Sequence, residues 1–177
     1  MFKIQNLLLA VLLLSAQQSL AQLEKDAEGN PVVTQQFVEE VIQPMEFQTI
    51  DGEPLKITDF DGKLVVIDFW QTWCGPCLRG FKGFKKAKEK WSDRVAIIAA
   101  SPDWADNKRK IKRFMKKNSY DFHFVWAGEL ERQLSLKSIP YKIILAPDGS
   151  LIRSKSDSDG AEEEYAMIET LVEQYFE

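Results

Sequence analysis

One strand followed closely by a pair of cysteines constrains the fold of this 177-residue chain more than any other feature. Residues 64–70 read LVVIDFW, an almost unbroken apolar run typical of a strand that is buried on both faces. Cys74 and Cys77 follow after a short loop, and a helical pattern of apolar residues begins there. Buried strands that alternate with helices indicate an α/β protein with a mixed central sheet flanked by helices.

The remaining segments predict further strands and helices around that strand. Asp51-Gly52 predicts a two-residue turn inside an N-terminal hairpin at 46–57. Apolar periodicity predicts helices at 105–118, 129–136 and 161–176, and strands at 95–100, 122–127, 142–146 and 151–154.

The first 21 residues have the pattern of a secretory signal. Lys3 supplies a positive start, residues 7–14 form an apolar run, and Ser19-Leu20-Ala21 fits a cleavage site. The run is shorter than the about 20 residues that cross a bilayer. We therefore expect cleavage after Ala21, a periplasmic location and no stable membrane insertion afterwards; an uncleaved anchor is the alternative. Residues 22–43 are interpreted as an N-terminal extension and 44–177 as the main domain.

Composition argues against metal sites and disulfide scaffolds. The chain has two cysteines and one histidine, which are too few for a structural zinc site or a disulfide-rich domain. His123 lies in a predicted strand, and we interpret it as an ordinary strand histidine rather than the partner in a Cys–His pair. Residues 157–160 with Glu164 resemble a calcium loop, but Lys155 occupies the first ligand position. We predict a polar turn there and no metal.

The spacing of the cysteines suits redox chemistry at a helix N-terminus. The thiolate is the reactive form of cysteine, and the first turn of a helix stabilises negative charge on Cys74. Gly75 keeps that turn uncrowded, and Pro76 fits a position where no N–H is needed. Asp68 lies in the apolar strand, where burial should raise its pKa and make it a proton shuttle. A hydrogen-bonded structural aspartate is the alternative.

The segment DFWQTWCGPC, from Asp68 to Cys77, and the upstream stretch 47–63 resemble the exported thioredoxin-like thiol–disulfide oxidoreductases. This family includes the cytochrome c maturation reductases. The resemblance covers about residues 44–177 and implies a thioredoxin fold with an N-terminal hairpin and one extra helix and strand. It also implies that Cys74 attacks disulfides, that Cys77 resolves the mixed disulfide, and that Asp68 accepts the Cys77 proton through water.

The same resemblance assigns a substrate-contacting surface. Ile139 and Pro140 match the cis-proline loop that faces the cysteines in the family, and Trp73, Gly75 and Pro76 surround the cysteines themselves.

The chain also departs from the family pattern. Many exported relatives carry a glutamate where this chain has Gly80, so Asp68 is expected to act alone. Tyr141 replaces a common threonine, which predicts a narrower or more aromatic substrate groove.

A protein-disulfide reductase is the function that these residues favour. Its redox group is the Cys74–Cys77 disulfide, with no other cofactor expected. The implied partners are disulfide-containing exported proteins and a transmembrane thiol-electron donor, in cytochrome c maturation or envelope redox homeostasis. An oxidase or isomerase of the same fold, and a redox-silent interaction module, are the alternatives.

Charge is divided unevenly along the chain. Residues 78–117 hold 14 basic and 4 acidic residues, whereas the rest of 22–177 holds 8 basic and 23 acidic ones. Solvated helix faces are the simplest explanation. The functional alternative is docking of an acidic partner or of membrane headgroups. Nucleic acid is not an expected partner, because aromatic residues are only weakly interleaved with the basic ones.

Overall fold

A seven-stranded mixed sheet with helices on both faces forms the centre of the computed structural model, which describes residues 23–157 and 160–177. The predicted signal at 1–21 lies outside the described residues. The strands are β1 (Glu46–Thr49), β2 (Pro54–Lys56), β3 (Leu64–Phe69), β4 (Val95–Ser101), β5 (His123–Trp126), β6 (Tyr141–Leu145) and β7 (Leu151–Lys155). The helices are α1 (Gln35–Phe37, continued by a π-helical turn at Val38–Ile42), α2 (Gly75–Lys90), α3 (Lys108–Lys117), α4 (Gly128–Leu134) and α5 (Ala161–Phe176), with a 3₁₀ turn at Ile57–Phe60.

The sheet has the order β2-β1-β5-β4-β3-β6-β7, in which β3, β4 and β5 are parallel and the other pairs antiparallel. Every residue of β3 and β4 is buried, as the apolar runs predicted. The N-terminal hairpin and the inserted α3 and β5 are confirmed. The hairpin loop is one residue longer than predicted, because Thr49 pairs with Glu53 and Gly52 closes the turn at φ +103°.

Two apolar layers cover the faces of the sheet. On one face, α2, α3 and α5 bury Phe81, Ile111 and Ile168, and the two cysteines belong to this layer. On the other face, the N-terminal segment and α4 bury Val38 and Leu130. The sheet therefore separates the cysteines from everything packed on the second face.

Residues 23–42 pack against the sheet. The Thr34 hydroxyl accepts the N–H of Phe37 at 3.1 Å and caps α1. The hydroxyl of Tyr141 donates to the carbonyl of Pro31 at 2.7 Å. Tyr141 is fully buried, so it does not line a surface groove, and the expectation of a narrower or more aromatic substrate groove is wrong.

Helices α2 and α5 approach closely at Gly83. A Cβ atom at this position would lie 2.1 Å from the carbonyl oxygen of Ala161 and 3.0 Å from the Cβ of Glu164. Only glycine fits there without a shift of the backbone. The contact brings the first turn of α5 against α2 and places Glu164 in the core, where it is 2% exposed.

Candidate active site

Cys74 and Cys77 form a disulfide at the start of α2. β3 ends at Phe69, and after a short loop Cys74 is the N-cap residue of the helix, where its sulfur accepts the N–H of Cys77 at 3.3 Å. The two Cα atoms are 5.3 Å apart, and Pro76 stands in the first turn. The predicted position at a helix N-terminus is confirmed. A thiolate on Cys74 would therefore lie at the positive end of the helix dipole.

The disulfide is buried beside an exposed rim. Cys74 is 3% and Cys77 1% exposed, whereas Trp73 is 59% exposed. Gly75 and Pro76 are exposed as well. The three residues predicted to contact a substrate around the cysteines thus lie at the surface, where an approaching chain would meet them.

The peptide bond between Ile139 and Pro140 is cis, as the resemblance implied. Pro140 is buried and directly precedes β6, whose first residue, Tyr141, pairs with Phe69 at the end of β3. Ile139 is half-buried and packs against both apolar layers. The proline loop and the loop leading to Cys74 therefore lie at the same end of the sheet.

Gln71, which sequence reasoning did not single out, holds the loop before Cys74. Its side chain is fully buried and donates to the carbonyl of Pro102 at 2.8 Å. Its amide oxygen accepts the indole N–H of Trp73 at 2.8 Å and the N–H of Ala105 at 3.2 Å. Gln71 therefore fixes the exposed tryptophan and joins two loops.

Asp106 makes the second link between these loops. Its carboxylate accepts the backbone N–H of Thr72 at 2.5 Å and the Thr72 hydroxyl at 2.8 Å. Residues 102–107 are a loop rather than the start of the predicted helix, and Asn107 caps α3 by accepting the N–H of Lys110 at 3.0 Å. One indication of this link is present in the sequence: the two loops follow neighbouring parallel strands, β3 and β4, and therefore meet at the same edge of the sheet.

Asp68 is 1% exposed, and within the described residues neither of its carboxylate oxygens has a hydrogen-bond partner. It is two residues away from both Val66 and Trp70, which pack in the layer of Cys77, so it points to the same face of the sheet. Burial raises the pKa of Asp68 to about 8, and the charge of Lys142 opposes that rise. The pKa shift has the predicted direction, and the hydrogen-bonded structural alternative finds no support.

Asp68 is not the only buried charged side chain in this part of the core. Lys142 is its Cα partner across β3 and β6, and both Lys142 and Glu164 are buried. The ammonium of Lys142 lies 2.9 Å from a carboxylate oxygen of Glu164. α5 therefore places a buried acid near Asp68, although Gly80 of α2 has no carboxylate to offer.

The other two sequence candidates lie elsewhere. His123 is half-buried on the second face of the sheet, with its ring centroid 4.7 Å from that of Phe60, so it is an ordinary strand histidine. Asp157 and Glu164 of the calcium-like segment both pair with Lys142, while residues 158–159 lie outside the described part of the chain. Within 23–157 and 160–177, no cluster of three or more metal-binding side chains occurs and no helix is long and apolar enough to cross a membrane.

A basic groove adjoins the active-site loop. Seven of the ten residues of α3 are lysine or arginine, and all seven are exposed. A groove of about 420 Å³ lies between this helix and the cysteine loop, with Thr72 and Leu78 on one side and Arg113, Phe114 and Lys117 on the other. Among the described residues, Arg113 and Lys117 have no acidic partner, whereas other cations of the helix pair with nearby aspartates.

Known proteins match most of this architecture. Residues 38–154 match the AhpC/TSA family. The thiol-disulfide oxidoreductase ResA from Bacillus thuringiensis subsp. konkukian is 30% identical over 109 residues, which are 59% of this chain and 61% of that protein. This chain thus spans about three fifths of that relative.

Solved structures agree on the fold. The crystal structure of StoA from Bacillus subtilis has 25% identity and a TM-score of 0.57, over 69% of this chain and 93% of StoA. A thioredoxin-family thiol:disulfide interchange protein from Chlorobium tepidum has 19% identity and a TM-score of 0.61, over 72% and 92% of the two chains. The predicted thioredoxin fold is confirmed. Because the family match runs from the first helical turns to β7 and includes both cysteines, this chain belongs to the thioredoxin-like AhpC/TSA family.

Proposed function

We propose that this chain is an exported thiol–disulfide oxidoreductase that reduces protein disulfides with Cys74 and Cys77. The buried disulfide at the N-terminus of α2, beside an exposed rim, carries the proposal. In the reduced protein, the Cys74 thiolate attacks a substrate disulfide, forms a mixed disulfide and releases one substrate thiolate. Cys77 then attacks the Cys74 sulfur, releases the second substrate thiolate and closes the Cys74–Cys77 bond. Two electrons pass to the substrate.

Asp68 is proposed as the proton acceptor of the second step, in which Cys77 must become a thiolate. An ordinary cysteine thiol has a pKa of about 8.5, and burial raises the pKa of Asp68 to about 8. The two groups therefore bind a proton with similar affinity, which suits reversible transfer between them. A protonated Asp68 in the oxidised protein is the state that follows this transfer.

The substrates are proposed to be disulfide-containing exported proteins, in cytochrome c maturation or in envelope redox homeostasis. A transmembrane thiol carrier would return electrons to the Cys74–Cys77 disulfide. The signal pattern at 1–21 supports export to the periplasm, and the exposed rim around the disulfide supports a protein substrate.

Insulin reduction tests the activity. With dithiothreitol as electron source, the purified protein should accelerate precipitation of the insulin B chain about tenfold or more over dithiothreitol alone, because a stabilised thiolate attacks faster. No acceleration, despite two titratable thiols after reduction, would contradict an enzyme and favour the redox-silent module.

The potential of the pair distinguishes a reductase from an oxidase. The Gly-Pro spacer matches that of thioredoxin, whose potential is about −270 mV, whereas the strong oxidants of the fold lie near about −120 mV. Equilibration with glutathione or dithiothreitol should therefore give a value well below about −180 mV. A reduction potential near that of the strong oxidants would instead assign the protein as an oxidase, which forms disulfides in its substrates.

The basic groove suggests which substrates dock. Its occupant would lie near the cysteine pair, since Thr72 and Leu78, which line the groove, are close to Cys74 and Cys77 in the chain. Arg113 and Lys117 offer unpaired positive charge there, next to the apolar ring of Phe114. We propose that the occupant is an acidic, disulfide-bearing protein segment, because opposite charges speed its encounter with the groove.

Paired disulfide peptides test this preference. Two peptides that differ only in acidic or basic residues beside their disulfide should be reduced at rates that differ about tenfold or more at low salt, with the acidic one faster. The difference between the two rates should shrink as salt is raised towards 1 M, where the Debye length falls to about 3 Å. Stopped-flow tryptophan fluorescence of the reduced protein measures both rates.

A charge-matched control locates the effect. Arg113→Glu/Lys117→Glu should reverse the preference. Lys63→Glu/Arg94→Glu makes the same change in net charge, but at the starts of β3 and β4, opposite the end that carries the cysteines, and should preserve the preference. Equal rates for the two peptides at low salt would contradict acidic substrate docking. Binding of α3 to anionic vesicles, with no peptide preference, would assign the basic face to a membrane instead.

A further inference from the structure

A buried ion pair lies near Asp68, and the exchange reaction proposed above makes no use of it. The ammonium of Lys142 is 2.9 Å from a carboxylate oxygen of Glu164, and the two side chains are 1% and 3% exposed. Apolar residues of similar volume are often at least as stable as a buried ion pair. Stability alone therefore does not explain why charges occupy this position.

The fold brings the pair to Asp68 through two separate contacts. Lys142 is the direct cross-strand partner of Asp68 between β6 and β3, and such partners have neighbouring side chains on one face of the sheet. Glu164 comes from the first turn of α5. That turn reaches the core because Gly83 of α2 has no Cβ to collide with Ala161.

Few other charges face this group. The backbone carbonyl of Asp157 accepts a hydrogen bond from the Lys142 ammonium, and the Asp157 carboxylate lies 3.6 Å from that ammonium and also pairs with Lys155. On β4, the partner of Asp68 is the uncharged Ala99. On α2, the facing group is the cysteine pair, which does not titrate while it is a disulfide.

We propose that Lys142 and Glu164 are positioning residues for the proton step at Asp68. The ammonium favours the carboxylate form of Asp68, and Glu164 limits that effect by compensating the ammonium. The inference rests on the proposed function, because it ties the pair to the deprotonation of Cys77. The charge of Lys142 lowers the pKa of Asp68 and the charge of Glu164 raises it, against a larger rise caused by burial.

Opposite shifts in the titration of Asp68 are the expected result. In the oxidised protein, Glu164→Gln should lower the midpoint at which the Asp68 carboxyl carbon titrates by ¹³C NMR, because the ammonium is then compensated by Asp68 alone. Lys142→Met should raise it. Each shift should be about one pH unit, a tenfold change in proton affinity. The pH profile of disulfide reduction by dithiothreitol should move in the same direction.

Two controls separate this effect from a structural role. The exposed Lys90–Glu169 pair joins α2 to α5 at 3.0 Å, so Lys90→Met and Glu169→Gln should leave the Asp68 midpoint in place. Lys142→Arg should leave the Asp68 midpoint close to its wild-type value, because the positive charge is kept.

A second comparison covers the case in which Lys142→Met does not fold, since removing one partner leaves a buried charge unpaired. Lys142→Met/Glu164→Gln removes both charges, and its Asp68 midpoint should lie above that of Glu164→Gln alone. Shifts in one common direction, or none, would overturn the inference even where the wild-type protein reduces insulin. Failure of the wild-type protein to reduce insulin, with opposite shifts still present, would overturn the proposed function instead.

Discussion

Cys77→Ser should turn the protein into a covalent trap, and Cys74→Ser should abolish exchange while trapping little. Cys74 is the N-cap residue of α2, where the helix dipole favours its thiolate. Without Cys77, the mixed disulfide on Cys74 has no internal thiol to resolve it. Both variants should reduce insulin only at the rate of dithiothreitol alone, yet Cys77→Ser alone should accumulate mixed disulfides.

Non-reducing electrophoresis after expression of the full chain in a bacterial host measures this difference. Adducts of Cys77→Ser should collapse to the monomer on reduction, and the released partners can be identified by mass spectrometry. The double variant Cys74→Ser/Cys77→Ser sets the background. Equal trapping by the two single variants would contradict the assigned order of attack. Partners that carry acidic segments near their cysteines would support docking in the basic groove.

Local signals made the cysteine site predictable from the sequence. The apolar run of β3 marks a buried strand within seven residues, and a CxxC pair at the start of a helical pattern needs no distant information. The cis bond before Pro140 was different, because only about 5% of X-Pro bonds in folded proteins are cis. Family resemblance, not local sequence, predicted that bond.

The buried charges beside Asp68 could not be predicted from the sequence, because long-range contacts bring them together. Lys142 and Glu164 follow Asp68 by 74 and 96 positions, and their proximity depends on the register of β3 with β6 and on the close approach at Gly83. Neither has a local signal. Glu164 stands among three acidic residues in the first turn of α5, a pattern that ordinarily complements the helix dipole in solvent.

Asp68→Asn should stabilise the oxidised protein at neutral and alkaline pH. In the unfolded chain Asp68 ionises near its usual pKa of 3.8, whereas burial in the fold raises its pKa to about 8. Between these values the folded protein holds one more proton than the unfolded chain. The free energy of unfolding therefore falls as pH rises, by at most about 1.4 kcal/mol per pH unit from this group. Asparagine cannot ionise, so the variant lacks this decline.

Urea unfolding of the oxidised protein from pH 4 to pH 8 measures the effect. The two proteins should be similar near pH 4, and at pH 8 the variant should be more stable by on the order of 5 kcal/mol, because the buried carboxyl no longer favours the unfolded chain. Asp148→Asn is the control: its carboxylate is exposed and accepts bonds from Ser150 that lower its pKa, so its loss should bring no gain at pH 8. Parallel pH profiles for wild type and Asp68→Asn would mean that Asp68 is already ionised in the fold. A carboxyl ionised throughout this range would hold its proton too weakly to accept one from Cys77, so the proposed proton step would fail with the stability prediction.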